Sequence, residues 1–145
     1  MEATDHPLQL FNTSGLDLPF KESEAAFLLN AISDEHQVNF DFVEVVFVDE
    51  LEIVRINKEF LERDYITDII SFRYDEDASN KEIEGTLYCC APRISEQASE
   101  FNQPEEREFL RIIIHGLLHL CGYEDATPDE KKEMTRLEDH FLSLI

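Results

Sequence analysis

The spacing of hydrophobic residues along the chain switches between the period of a helix and that of a strand. Apolar residues at intervals of three and four predict amphipathic helices, here at residues 21–33, 50–61, 105–120 and 130–144. Pro92, a residue suited to a first helical turn, opens a further predicted helix that runs to about residue 101. Runs rich in Val, Ile and aromatic residues predict strands at 39–48, 68–74 and 83–90, and a short apolar stretch, Leu8–Phe11, precedes them all.

The order of these elements predicts an α+β fold with a small mixed β-sheet and helices packed mainly on one side. The last two strands are separated by a polar stretch too short for a helical crossover, so we expect them to be antiparallel neighbours. The helix at 105–120 is apolar nearly all round, which predicts that it is buried. A chain of 145 residues is long enough for one core, and we expect residues 1–145 to form a single domain.

Charge changes the functional picture, because 33 acidic and 12 basic residues give a formal net charge of −21. A field of that sign repels polyanions and argues against nucleic acid as a partner. The basic residues are unevenly placed, however, and six lie in the middle third of the chain: Arg55, Lys58, Arg63, Arg73, Lys81 and Arg93. They form either a local positive patch or scattered solvated side chains, and the sequence leaves both alternatives open. No apolar run approaches the roughly 20 residues of a membrane helix, and no secretory signal opens the chain, so we expect a cytoplasmic protein.

A candidate metal site lies near the C-terminus, on a helix and the turn that follows it. His115 and His119 are four residues apart on the buried helix and project from one face. Gly122 can adopt the left-handed conformation that ends a helix, which would fold Asp125 back over the histidines. Three protein ligands are typical of catalytic zinc, and a zinc ion lowers the pKa of bound water to about 7, so the implied chemistry is hydrolysis.

Each of these residues also has a simpler structural interpretation. Asp125 is not needed as a helix cap, because Thr127, Pro128 and Glu130 form a capping box of their own. A single histidine on an apolar helix is usually a hydrogen-bonded core residue, but the pair, the glycine and the carboxylate together favour metal binding. The remaining histidines, predicted to be solvated because they lack a partner at ligand spacing, are His6, His36 and His140.

Two segments resemble the YbeY family of metal-dependent ribonucleases. Residues 115–125, HGLLHLCGYED, resemble the signature H-G-x-L-H-L-x-G-Y-D-H, and residues 67–72, TDIISF, resemble the strand P-T-D-V-L-S-F. The resemblance implies a shared fold, one metal per chain, and single-strand-specific endoribonuclease activity in maturation of the 16S rRNA 3′ end and in ribosome quality control. It therefore also implies RNA and ribosomal particles as partners.

The chain departs from that family pattern at four positions. Asp125 replaces the third histidine, and a carboxylate oxygen is also a competent zinc ligand. Leu61 stands where the family usually has an arginine thought to contact phosphate, Ile66 replaces a proline, and Thr86 replaces an aspartate.

Three functions remain open from the residues. The leading one is a metal-dependent endoribonuclease in which Arg73, and secondly Arg63, contacts phosphate, with Asp68 and Glu124 near the site but no general base assigned. The second is a ribosome-associated binding module whose metal only ties the last two helices together. The third is a zinc peptidase, which ranks lowest because Gly116 occupies the position of the usual glutamate base. Zinc is the first expectation for the metal, although nickel, cobalt or iron would suit the same donors.

Overall fold

The computed structural model describes residues 7–74 and 82–145, so the predictions for His6 and Lys81 lie outside the described residues. The architecture is α+β, as predicted. The elements in chain order are β1 (Leu8–Asn12), α1 (Glu22–His36), β2 (Asn39–Val48), α2 (Glu50–Leu61), β3 (Ile69–Arg73), β4 (Glu82–Cys90), α3 (Ala91–Glu100), α4 (Glu105–Leu120) and α5 (Pro128–Leu142). Within the described residues no helix has the length and apolar character needed to cross a bilayer.

The four strands form one mixed sheet in the order β1-β2-β4-β3. β3 and β4 are antiparallel neighbours, which confirms the prediction made from the short polar stretch between them. β2 pairs in parallel with β4, and the apolar stretch Leu8–Phe11 belongs to β1, which pairs in parallel with β2 from Leu8 opposite Val43. The sheet therefore gains an edge strand that hydrophobic spacing alone did not reveal.

The two faces of the sheet are covered unequally. One face packs against α1, α4 and α5, where Val43, Val45 and Phe47 of β2 are completely buried. The other face is covered by α2, whose Ile53 and Ile56 pack in a smaller cluster with Val48, Ile70 and Cys90. Helices do lie mainly on one side, as predicted, with α2 as the exception.

Helix α4 passes very close to the sheet at Gly116. A Cβ atom added there would lie 2.7 Å from Ile69 Cδ1 and 2.8 Å from Leu87 Cδ1, well inside normal contact distance. Glycine at this position therefore lets the helix rest directly on β3 and β4. This close approach brings the C-terminal end of α4, with both predicted histidine ligands, to the edge of the sheet formed by β3.

Candidate metal centre

A tight turn ends α4 and reverses the chain. The Tyr123 N–H donates to Leu118 O at 3.1 Å, and the Gly122 N–H donates to His119 O at 3.0 Å. This pair of bonds is the Schellman motif, which needs a left-handed residue after the helix, and Gly122 has a φ of 106°. The turn folds the following loop back over the histidine face, as predicted from the glycine.

The structure brings His115, His119 and Asp125 together. The two Nε2 atoms are 3.0 Å apart; Asp125 Oδ2 lies 3.3 Å from His115 Nε2, and Asp125 Oδ1 lies 3.6 Å from His119 Nε2. Ligand atoms about 2.0–2.1 Å from a tetrahedral zinc ion lie about 3.3 Å from one another. The donor atoms of this cluster therefore have the mutual spacing that one ion requires.

A buried carboxylate on α5 supports the first histidine. Glu138 Oε2 lies 2.7 Å from His115 Nδ1, and Glu138 Oε1 accepts a hydrogen bond from Arg111 Nη1 at 3.0 Å. Arg111 Nη2 also donates to Asp139 Oδ1 at 2.9 Å. Sequence reasoning missed Glu138 and treated α5 as a packing helix. The available signal was a carboxylate on the buried side of that helix, beside Leu137 and three residues before Phe141.

The surroundings shift the pKa of two groups at the site. Burial alone lowers the pKa of His115, but the hydrogen bond and charge of Glu138, with the charge of Asp125, raise it above the ordinary value of 6.5. Burial raises the pKa of the Cys121 thiol to about 12, only slightly offset by the charge of Arg73. Cys121 therefore stays a neutral thiol near neutral pH, which agrees with leaving it out of the ligand set.

A cavity of about 510 Å³ opens beside the cluster. The cavity is lined by residues of β3 and the loop before it, which include both predicted phosphate contacts, Arg63 and Arg73. Arg73 Nη1 donates to Leu120 O at 2.9 Å, and Arg63 Nη1 lies 3.3 Å from the Tyr65 hydroxyl. Both arginines thus line the space next to the cluster, and Arg73 is also tied to the end of α4.

The two carboxylates considered as a general base, Asp68 and Glu124, line the same cavity. Asp68 Oδ2 accepts a hydrogen bond from Gln97 Nε2 at 3.2 Å, while Glu124 Oε1 lies 3.6 Å from His119 Nδ1. Each carboxylate therefore lines the cavity and has a polar neighbour. These contacts do not distinguish Asp68 from Glu124 as the general base.

The prediction that His36 is solvated was wrong. His36 is partly buried, with Nε2 3.0 Å from the Tyr123 hydroxyl and its ring 5.9 Å from that of Phe141. Tyr123 belongs to the loop that carries Asp125, so this contact ties that loop to α1 and α5. His140 is exposed, as expected, and pairs with Glu35 at 2.8 Å.

Comparison with known proteins agrees with the fold and with the family resemblance seen in the sequence. The family model described as Endoribonuclease YbeY matches residues 15–145. Proteins named Endoribonuclease YbeY from Chlorobium limicola and Phocaeicola vulgatus are 36% and 33% identical, covering 94% and 93% of this chain and 92% and 96% of their own. The solution structure of TM1509 from Thermotoga maritima is similar with a TM-score of 0.61 at 29% identity, covering 94% of this chain and 87% of that one. The chain therefore belongs to the Endoribonuclease YbeY family.

Proposed function

We propose that the protein is a metal-dependent endoribonuclease that cleaves single-stranded RNA in maturation of the 16S rRNA 3′ end and in ribosome quality control. Its family membership supports the reaction class. The observation that carries the proposal is the cluster of His115, His119 and Asp125 in the lining of a cavity that two arginines, Arg63 and Arg73, also line. A cytoplasmic location and association with ribosomal particles are part of the same proposal.

The metal ligands in this proposal are Nε2 of His115, Nε2 of His119 and a carboxylate oxygen of Asp125. Two imidazoles and one carboxylate form a donor set suited to zinc, our first choice, and also to nickel, cobalt or iron. When bound, such an ion supplies Lewis acidity toward a phosphoryl oxygen and toward water. Because all three donors face the cavity, RNA in the cavity would lie next to them.

Arg63 and Arg73 bind phosphate in the proposed mechanism. The planar guanidinium group donates two parallel hydrogen bonds to a phosphate. A net charge of −21 repels RNA at long range, so local cations are needed to hold phosphate in the cavity. The bond from Arg73 to Leu120 O fixes this guanidinium beside the last turn of α4, one residue from His119.

Exposed apolar side chains support a single-stranded substrate: Leu61 lines the cavity, and Tyr65 and Ile66 lie in the chain between the lining residues Arg63 and Thr67. Leu61 and Ile66 are 40% and 42% exposed, and Tyr65 beside Arg63 is 51% exposed. Unpaired bases present flat faces that stack on such side chains, whereas a duplex hides those faces inside its own stack. Leu61 occupies the position of the family arginine, so at this point the chain offers contact to a base instead of charge to a phosphate.

The proposed function predicts metal-dependent cleavage of unpaired RNA. Purified protein should cut a single-stranded RNA containing the 16S rRNA 3′ end, lose that activity in a chelator, and regain it when zinc is added. The same RNA annealed to its complement, and casein, should remain intact. A fully metal-loaded protein that leaves RNA intact but binds ribosomal particles would establish the binding-module function instead, and cleavage of casein would establish a peptidase.

The phosphate contacts predict a separate set of effects. Arg63→Ala and Arg73→Ala should each reduce kcat/KM for RNA by about 10- to 100-fold, since a hydrogen bond to a charged group contributes about 1.5–3 kcal/mol. Metal content should not change. Arg73→Ala should also lower the free energy of unfolding by about 1 kcal/mol, because Leu120 O loses a donor. Arg136→Ala, which removes an exposed cation on α5, is the control; normal cleavage by both test variants would exclude these contacts.

A further inference from the structure

A chain of three side chains, Arg111, Glu138 and His115, joins α4 to α5 beside the proposed metal centre, and Glu138 in its middle is buried. We propose that Glu138 is a positioning residue: it accepts the Nδ1–H of His115 and thereby fixes the imidazole with its Nε2 lone pair toward the ion. The inference rests on the proposed metal centre and adds to it a residue outside the ligand set.

The two nitrogens of His115 have different surroundings. Nδ1 lies 2.7 Å from Glu138 Oε2, whereas Nε2 lies 3.0 Å from His119 Nε2 and 3.3 Å from Asp125 Oδ2. An ionised carboxylate can only accept hydrogen bonds, so the hydrogen of the neutral ring belongs on Nδ1. Nε2 is then unprotonated and faces the other two donors, which is the form in which histidine binds a metal.

Arg111 pairs with Glu138 and orients its carboxylate. Glu138 is 8% exposed, and an ionised carboxylate at that depth is costly unless it is paired. Arg111 Nη1 supplies the pair at 3.0 Å from Oε1, and Arg111 itself is held by Asp139 at 2.9 Å. One oxygen of Glu138 is therefore fixed by Arg111, which leaves the other aimed at His115.

The second histidine is supported differently. His119 Nδ1 lies 3.6 Å from Glu124 Oε1, beyond hydrogen-bond distance, and the Glu124 side chain is 69% exposed. Of the two histidines, His115 thus has the carboxylate that is both close and buried. In the proposed metal centre, His115 is therefore held in its binding orientation by Glu138 before a metal binds. His119 has only the exposed Glu124 beside its Nδ1.

The variant Glu138→Gln tests whether the carboxylate does more than tie two helices together. Glutamine keeps the size of the side chain and can still accept from Arg111, but its amide can donate to Nδ1 and so favour the tautomer protonated at Nε2. We expect zinc affinity, measured by competition with a chelator, to fall by about 10- to 100-fold, and RNA cleavage at limiting zinc to fall with it. Glu138→Asp, which keeps an acceptor, should recover part of the loss.

The matched control is Glu133→Gln, which removes an exposed carboxylate from the same helix, paired there with Arg136 at 2.6 Å. It should bind zinc as the unaltered protein does. A measurement that needs no variant guards against misfolding: ¹⁵N NMR of the metal-free protein at alkaline pH should show His115 protonated at Nδ1 and unprotonated at Nε2. The opposite tautomer, or undiminished zinc affinity in Glu138→Gln, would overturn the positioning role while leaving the metal centre standing. Failure of the unaltered protein to bind zinc or another divalent transition metal would overturn both.

Discussion

His119→Ala is expected to empty the metal centre and to reduce RNA cleavage by more than about 100-fold. Removing a residue that only hydrogen-bonds a metal ligand costs about 10- to 100-fold in affinity or activity, and removing a ligand itself should cost more. His119 Nε2 lies 3.0 Å from His115 Nε2 and 3.6 Å from Asp125 Oδ1, so its removal leaves two donors. Two donors do not hold zinc tightly. Native mass spectrometry of the purified variant should show chains without metal.

Three further substitutions, at His140 and Asp125, test whether the effect is specific to the cluster. His140→Ala removes an exposed histidine that pairs with Glu35 away from the cluster and should keep full metal content and activity. Asp125→His should retain the metal, whereas Asp125→Ala should lose most of it, because a methyl group provides no third donor. Full metal occupancy in His119→Ala would show that the cluster is not the binding site.

Gly116→Glu is expected to destabilise the protein by about 4 kcal/mol or more, because it combines overpacking with a buried charge. The added side chain would have to enter a space where even a Cβ lies 2.7 Å from Ile69 Cδ1. Gly116→Ala should cost less, about 1–3 kcal/mol from overpacking, partly offset by about 1 kcal/mol of better helix propensity. Urea unfolding of the two variants and the unaltered protein gives the three free energies of unfolding.

The same pair of variants bears on the peptidase interpretation. If Gly116→Glu unfolds at the same urea concentration as the unaltered protein, the close approach of α4 to the sheet is wrong. If it is destabilised as expected, the position after the first histidine faces the core, and a glutamate base of the zinc-peptidase type cannot be placed there.

Much of this fold could be predicted because its central elements carry strong local patterns. The bounds of β2, α2 and α4 agree with those expected from hydrophobic spacing. The edge strand β1 could not be recognised, because five residues carry little periodicity and its partner β2 lies some 35 residues away in the chain. The position of α2 on the opposite face was likewise hidden, since an amphipathic helix does not specify which side of a sheet it will cover.

The clustering of the three proposed ligands could be predicted from the sequence, whereas the residues that contact them from other elements could not. His115, His119 and Asp125 are close in sequence, and helix geometry with one glycine turn was enough to bring them together. Glu138 reaches His115 only because α5 packs against α4, and the contact of His36 with Tyr123 needs α1 as well. Contacts between elements distant in the chain depend on the tertiary arrangement, which residue spacing does not encode.

The three proposed ligands are so close in sequence that metal binding should not require the whole fold. Because all three proposed ligands, His115, His119 and Asp125, lie within residues 115–125, the entropy cost of closing the chain around an ion is small even in the unfolded state. We therefore expect unfolded molecules to bind metal as well, and binding to the unfolded state reduces the stabilisation that a ligand gives to the native state. Zinc should accordingly raise the free energy of unfolding, measured with urea, by less than the increase calculated from its affinity for the native protein alone.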